Sequence, residues 1–233
     1  MGEIIYSPEN FSNHIQQFMR EHGLHKIIAF SGGTDDRLEG VFDQSIQENY
    51  REVMRQKEEY LIEQAVCKFQ TYRIAILSGG TTWGVPNTTV TKAKKFNLKT
   101  IGIYPHVGRK HALDGGILDL SICVEPSYGD SCWGDESSIF TKLLDGVIVY
   151  GGGAGTLVEI SHLLKMNETI LKDGGTPKFI VPISGSGGVA DGLPFIWSKT
   201  EIRHKSMPTR RVINGAEAAD LLIEKLMLDD YVY

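Results

Sequence analysis

Four glycine clusters in this sequence have the residue type and spacing that suit phosphate binding. The longest runs from Gly151 to Thr156, between an apolar segment and a pattern typical of a helix. Glycines let backbone N–H groups approach an anion closely, and a helix N-terminus adds unpaired donors and the positive end of its dipole. The Thr156 hydroxyl can act as a further donor. This segment therefore predicts a phosphate-binding loop.

The other three clusters also follow apolar runs that predict strands. A tight turn without a ligand is the alternative for any single cluster. However, parallel strands end along one edge of a sheet, so we expect all four clusters to line one ligand-binding cleft. The predicted binding residues in these clusters are Gly32, Gly33, Gly79, Gly80, Thr81, Gly151, Gly152, Gly153, Gly155, Thr156, Gly185, Ser186 and Gly187.

Glu159 is the candidate catalytic residue, because it lies on the first turn of the helix that follows the longest cluster. A carboxylate near a sugar can stabilise an oxocarbenium-like state or position water for cleavage of a glycosidic bond. It can also bind ribose hydroxyls, or simply interact with the helix dipole. The residue type alone leaves these alternatives open.

An acidic and aromatic segment precedes the fifth predicted strand. Trp133 can stack on a base or anchor the loop, and we count it and Glu136 among the predicted binding residues. Asp130 and Asp135 add carboxylates, but their spacing forms no regular pattern of metal ligands, so no metal site is predicted.

Cationic residues near the strand ends are candidates for pairing with a phosphate. Arg109 follows one strand and Arg37 lies close to Gly33, although charged runs of this kind are usually solvated. His106 and His162 lack metal-ligating partners at useful spacing. We therefore predict Arg109 as a binding residue and neither histidine as catalytic.

Short apolar runs alternate with helical patterns along the whole chain, which is typical of βαβ units. The predicted fold is α/β, a Rossmann-like doubly wound parallel sheet with helices on both faces, in a single domain over residues 1–233. Strands are predicted at residues 27–30, 74–77, 100–104, 118–124, 147–150 and 179–183, and helices at residues 10–22, 39–69, 87–96, 136–144, 157–165 and 216–227.

Composition narrows the class of protein. The 233 residues carry a formal net charge of -5, which argues against binding nucleic acid through bulk electrostatics. The three cysteines show no CxxC spacing, so reduced thiols and a cytoplasmic location are expected. The first residues do not form a signal peptide, and no apolar run approaches the roughly 20 residues that span a bilayer. No membrane association is predicted.

Residues 151–159, GGGAGTLVE, resemble the PGGxGTxxE signature of the LOG family. This family includes cytokinin-activating phosphoribohydrolases and belongs to the SLOG superfamily of Rossmann-like domains. Residues 76–80, 101–105 and 145–150 resemble the family's upstream strands, so the likeness spans about residues 74–165. Proline is replaced by Gly151, and the fixed positions fall on Gly152, Gly153, Gly155, Thr156 and Glu159.

The resemblance departs from the hydrolases at one position. These enzymes carry a catalytic arginine in an MxxRK pattern before the signature, and the spacing places Trp133 on the methionine and Glu136 on the arginine. The charge is therefore reversed where a hydrolase needs a cation near the phosphoribosyl group.

A second branch of the superfamily, LSDAT, is also similar to this chain and is best known as the N-terminal domain of TRPM cation channels. Residues 101–109 resemble its IGIxPWG stretch, and residues 181–191 resemble its GSGRASD loop, with Gly188 in place of the arginine. This branch implies a sensor of nucleotide-derived ligands.

Three functions follow from these resemblances. The leading hypothesis is a sensor or carrier that binds a nucleotide or nucleotide-derived ligand such as AMP or ADP-ribose. The alternatives are a phosphoribohydrolase with Glu159 as its catalytic residue, acting on nucleoside 5'-monophosphates, and a carrier of molybdenum cofactor. The LOG resemblance also implies a homodimer or higher homo-oligomer.

Overall fold

The computed structural model describes residues 3–5, 8–33, 44–113, 116–196 and 200–232. Within them, seven parallel strands form one sheet in the order β1-β5-β4-β3-β2-β6-β7. This confirms the predicted α/β parallel sheet. The strands are β1 (Glu3–Ile5), β2 (Lys26–Gly32), β3 (Ile74–Ser78), β4 (Lys99–Pro105), β5 (Leu120–Val124), β6 (Gly146–Tyr150) and β7 (Phe179–Pro182).

Helices cover both faces of the sheet, as predicted. They are α1 (Pro8–Glu21), α2 (Gln44–Phe69), α3 (Gly84–Lys95), α4 (Ser137–Leu143), α5 (Ala154–Lys172), α6 (Gly188–Ile196), α7 (Thr200–Ser206) and α8 (Gly215–Leu226), with 3₁₀ helices at His106–His111 and Leu228–Tyr231. None of the described helices is both long enough and apolar enough to cross a membrane.

Alternation along the strands builds the two cores. Along β2, Ile27 and Ala29 join the core that includes α1, α4 and α5, whereas Ile28 and Phe30 join the core that includes α2, α3 and α8. Successive side chains of a strand point to opposite faces, so a strand buried on both faces is apolar throughout. This explains why continuous apolar runs in the sequence correctly predicted the inner strands.

The strand order reverses at β2. The chain passes from β2 through β3 and β4 to β5 on one side, and β6 then returns to pair with the other side of β2. In open α/β sheets, a crevice forms outside the carboxyl ends of the strands at such a reversal, and ligands bind there. The loops after β2 and β6 are therefore the ones that can form a site.

Candidate functional site

A cleft of about 500 Å³ lies at the carboxyl ends of β2, β3, β4 and β6. Three of the four predicted glycine clusters contribute to it. The lining residues are Phe30, Ser31, Gly32, Gly33, Gly79, Thr81, Pro86, Pro105, Trp133, Gly134, Glu136, Phe140, Gly153, Ala154, Gly155, Thr156, Val158 and Glu159.

The loop between β6 and α5 has the form of an anion-binding loop. Gly151 and Gly152 adopt positive φ angles of 57° and 96°, which favour glycine. Gly153 precedes the first helical residue, and no side chain caps the helix. The first N–H groups of an α-helix lack intrahelical acceptors, so the donors of Ala154 and Gly155 are available to an anion in the cleft.

The fourth glycine cluster supports this loop from behind. Ser186 Oγ accepts a hydrogen bond of 2.9 Å from the Gly151 N–H. The N–H groups of Val189 and Ala190 donate to the Gly152 and Gly151 carbonyls, each at 3.0 Å. These bonds fix the turn that directs the α5 N-terminus at the cleft.

Gly185, Ser186 and Gly187 do not line the cleft, in contrast to our expectation that all four clusters would share it. Gly185 borders a separate cleft, and the N–H groups of Gly185 and Gly187 donate to the Asp191 carboxylate at 2.6 and 3.1 Å. The physical reason is the position of β7, which lies beyond β6 and away from the strand reversal. Its loop therefore packs behind the β6 loop.

Some residues of the loop after β3 line the cleft, whereas one residue packs against β4. Gly79 and the buried Thr81 line the cleft. Gly80 has a φ of 64°, and a Cβ there would lie 2.8 Å from the Gly102 Cα. Gly80 is therefore glycine because the backbone of β4 is too close for a side chain. Gly80 itself is not among the residues that line the cleft, in contrast to its prediction as a binding residue.

Two carboxylates lie in the cleft. Ser31 Oγ donates a short hydrogen bond to Glu159. The pKa of Glu159 is nevertheless raised to about 7, mainly by burial and to a smaller extent by the nearby Glu136 carboxylate. Burial also raises the pKa of Glu136, although the Gly134 N–H donates to its carboxylate at 2.9 Å and opposes the shift. At neutral pH, part of the population therefore carries a protonated Glu159.

Cationic side chains do not contribute to the part of the cleft lining that the structure describes. Arg109 is exposed, lies in the 3₁₀ helix His106–His111 and is not one of the lining residues. Arg37 lies outside the described residues. In the described lining, the donors for an anion are thus backbone N–H groups and hydroxyls.

An aromatic group forms one wall. The Trp83 ring lies 4.3 Å from the His111 ring and 6.4 Å from the Trp133 ring, measured between centroids. Trp133 is 54% exposed and lines the cleft. Its indole is therefore accessible to a planar ligand. Trp83 was not predicted; it follows the Gly79 cluster in the sequence and adjoins Trp133, but it is not itself a lining residue of the cleft.

One histidine has partners that the sequence did not reveal. His106 Nδ1 lies 2.7 Å from Glu125 Oε1, and Cys123 Sγ lies within 4.8 Å of both, a grouping that could hold a metal ion. We expected His106 to lack metal-ligating partners. The expectation failed because pairing of β4 with β5 brings together residues that are about 20 positions apart.

A known family model matches more than half of this chain. The model of the SLOG cluster4 family matches residues 52–175, just over half of the chain. The chain belongs to the SLOG cluster4 family. The match includes the β3 and β6 loops and Glu159, so membership of the SLOG superfamily, predicted from the glycine signature, is confirmed.

Solved structures share the SLOG fold with this chain. The protein TM1055 is 16% identical, with a TM-score of 0.54 over 86% of this chain and 99% of that one. A molybdenum cofactor binding protein from Rippkaea orientalis is 20% identical, with a TM-score of 0.56 over 87% and 97%. The molybdenum cofactor carrier protein of Chlamydomonas reinhardtii is 17% identical, with a TM-score of 0.53 over 87% and 98%. No curated protein sequence matches significantly.

Proposed function

We propose that this SLOG cluster4 protein binds a phosphate-bearing heterocyclic small molecule and carries or senses it without cleaving it. The observation that carries the proposal is the β6–α5 loop, whose unpaired N–H groups face a cleft with an exposed tryptophan on its wall. The ligand class is a nucleotide such as AMP or ADP-ribose, or a phosphorylated pterin of the molybdenum cofactor kind.

The phosphate is held by backbone donors in this proposal. The N-terminus of α5 supplies N–H groups and the positive end of the helix dipole, and glycines keep side chains out of the way. The partly protonated Glu159 lessens the repulsion that a second ionised carboxylate beside Glu136 would exert on a phosphate.

The heterocycle lies against the aromatic wall. Stacking of a base on an aromatic side chain contributes about 1–3 kcal/mol and tolerates different ring systems. Trp133 offers such a surface to both purines and pterins. A volume of about 500 Å³ also lies in the range of small-molecule sites.

The solved relatives support a carrier. Two of them are described as a binding protein and a carrier protein for molybdenum cofactor. A carrier needs reversible binding and no chemical step. The described lining of this cleft fits that need, because it provides donors for a phosphate and lacks the cation that a phosphoribohydrolase places there.

A thermal-shift panel of AMP, ADP-ribose, cyclic ADP-ribose, NAD and pterin cofactors tests the proposal. A ligand at about 100 times its Kd should stabilise the wild type by roughly 2.7 kcal/mol. The variant Gly153→Val should fold, because nothing lies within 4 Å of a Cβ at this position, and should lose the shift because valine fills the anion site.

Gly192→Val is the matched control, since its Cβ also has open space and Gly192 does not line the cleft. It should keep the ligand-induced shift. A normal shift in Gly153→Val would place the phosphate elsewhere, and no shift with any member of the panel would reject the ligand class.

Hydrolysis of a nucleoside 5'-monophosphate is the second candidate. Glu159 favours it, because a carboxylate whose pKa is about 7 can exchange a proton at neutral pH. We expect little release of adenine from AMP, since a missing oriented charge costs about 2.7–4 kcal/mol, or roughly a hundred- to thousandfold in rate. Robust turnover that disappears in Glu159→Gln would make the hydrolase the better assignment.

We also propose a cytoplasmic homo-oligomer. The exposed apolar side chains Leu157 and Val158 on the first turns of α5 support an interface beside Glu159. Sedimentation velocity of the purified chain measures the oligomeric state directly, and a monomer at all concentrations would reject it.

A further inference from the structure

A second cleft, of about 570 Å³, lies beyond the carboxyl end of β7. It is bordered by the β7–α6 loop, by α7 and by the segment that leads into α8. It shares no lining residue with the cleft beside Glu159. The charged residues of its lining are Asp191, Arg203, Arg210 and Arg211, and His204 also lines it.

The charge of this cleft is the reverse of the first one. Three arginines line it, and the Lys57 ammonium donates to the Gly185 carbonyl at its border, at 2.6 Å. Arg210 pairs with Glu217 on α8, and Arg203 Nη2 lies 3.3 Å from His204 Nε2. The positive charges of these arginines repel each other, and an anion bound between them would offset the repulsion.

The arginine side chains, and not the backbone, are the donors here. Asp191 already accepts the N–H groups of Gly185 and Gly187, so the glycine turn has no amide left at those two positions. Guanidinium groups match phosphate oxygens in two parallel hydrogen bonds and keep their charge at every relevant pH. Arg211 is exposed and precedes Val212, which is fixed beside Ile183 by a parallel bridge.

From this arrangement we infer that the second cleft binds the diphosphate group of a small molecule. Three guanidinium groups spread along the cleft can each meet different oxygens of a diphosphate, which has two phosphoryl groups and carries more negative charge than a single phosphate. The site goes beyond the proposed function, because it is separate from the first cleft and binds its anion by side-chain charge.

Calorimetric titration with inorganic pyrophosphate at low ionic strength tests this site. The background is Gly153→Val, which is designed to block the first cleft and does not alter a lining residue of the second. The loss of affinity on replacing Arg210 and Arg211 reports on the second cleft alone, so failure of the proposed function leaves this test intact. In that background pyrophosphate should bind, orthophosphate should bind more weakly, and Arg210→Gln with Arg211→Gln should lower pyrophosphate affinity at least about tenfold.

The matched control combines Arg20→Gln with Arg51→Gln, two exposed arginines that line neither cleft. This control should bind pyrophosphate with unchanged affinity. An ADP arm separates the sources of the diphosphate: affinity equal to pyrophosphate means that the cleft binds the diphosphate alone, and tighter binding means that it also contacts the nucleoside.

Three results overturn the inference. One is absence of binding at millimolar pyrophosphate, and another is equal loss of affinity in the control, which would indicate bulk charge only. The third is a change of oligomeric state in the Arg210→Gln, Arg211→Gln variant without pyrophosphate binding to the parent, which would assign the arginines to a contact between copies. Thermal melts of each variant verify that it folds.

Discussion

Replacing Glu159 by glutamine should change how stability depends on pH. The glutamine keeps the size of the side chain and an oxygen that can accept from Ser31, but it cannot ionise. In the wild type, burial raises the pKa of Glu159 from 4.5 to about 7, so the folded state holds this proton more tightly than the unfolded state does.

The sign follows from this difference. Below about pH 4.5 the carboxyl is protonated in both states and the shift has no effect. As pH rises from 4.5 through 7, the unfolded state releases the proton first, and the wild type loses stability. The loss is complete above pH 7. The 2.5 pH units between the two values, at about 1.4 kcal/mol each, amount to roughly 3.5 kcal/mol.

Urea denaturation of both proteins at about pH 5 and about pH 8 measures the effect. The stability of Glu159→Gln relative to wild type should increase by about 2–3 kcal/mol between these pH values, because titrating groups that do not interact with Glu159 cancel in the comparison. Glu48→Gln, at an exposed position on α2, is the control and should show no such change. If the stabilities of Glu159→Gln and of wild type change equally between the two pH values, the raised pKa of Glu159 is refuted.

Two further substitutions test the loop and the aromatic wall. Gly188→Ala should destabilise the protein by more than about 2 kcal/mol in urea denaturation, because Gly188 has a φ of 50° and its Cβ would overlap the Gly152 carbonyl. The control is Gly174→Ala, at a position with a φ of 75° and open space around the Cβ. This variant should lose only about 1 kcal/mol of stability. Equal losses would show that the contact is unimportant. Trp133→Ala should weaken heterocycle binding by about 1–3 kcal/mol and leave orthophosphate binding unchanged, as measured by calorimetry. If the affinities for the heterocycle and for orthophosphate fall equally, Trp133 does not act by stacking.

The features that local sequence determines were predictable. Strands β2 to β7 are short apolar runs, and the turn at Gly151 to Thr156 has the composition that its positive φ angles require. The position of Glu159 at the cleft follows from its distance from that turn along the helix. The sequence alone was sufficient to predict the fold class and the glycine turn that precedes α5.

Features that depend on contacts between distant segments were missed. Strand β1 has only three residues and forms through pairing with β5. Helix α6 contains Gly188, Gly192 and Pro194, which discourage a helix in sequence reasoning. The separation of Gly185 from the first cleft depended on strand order. The Ser31–Glu159 bond likewise joins residues 128 positions apart.

The contact between the β6 and β7 loops determines which part of this protein can be transplanted. Ser186 holds the Gly151 N–H, and Gly188 lies against the Gly152 carbonyl with no room for a side chain. A graft of residues 151–156 into another Rossmann-like scaffold would therefore lack the bonds that orient it. The smallest transferable unit also includes residues 183–190, together with the two strands that hold both segments at their spacing.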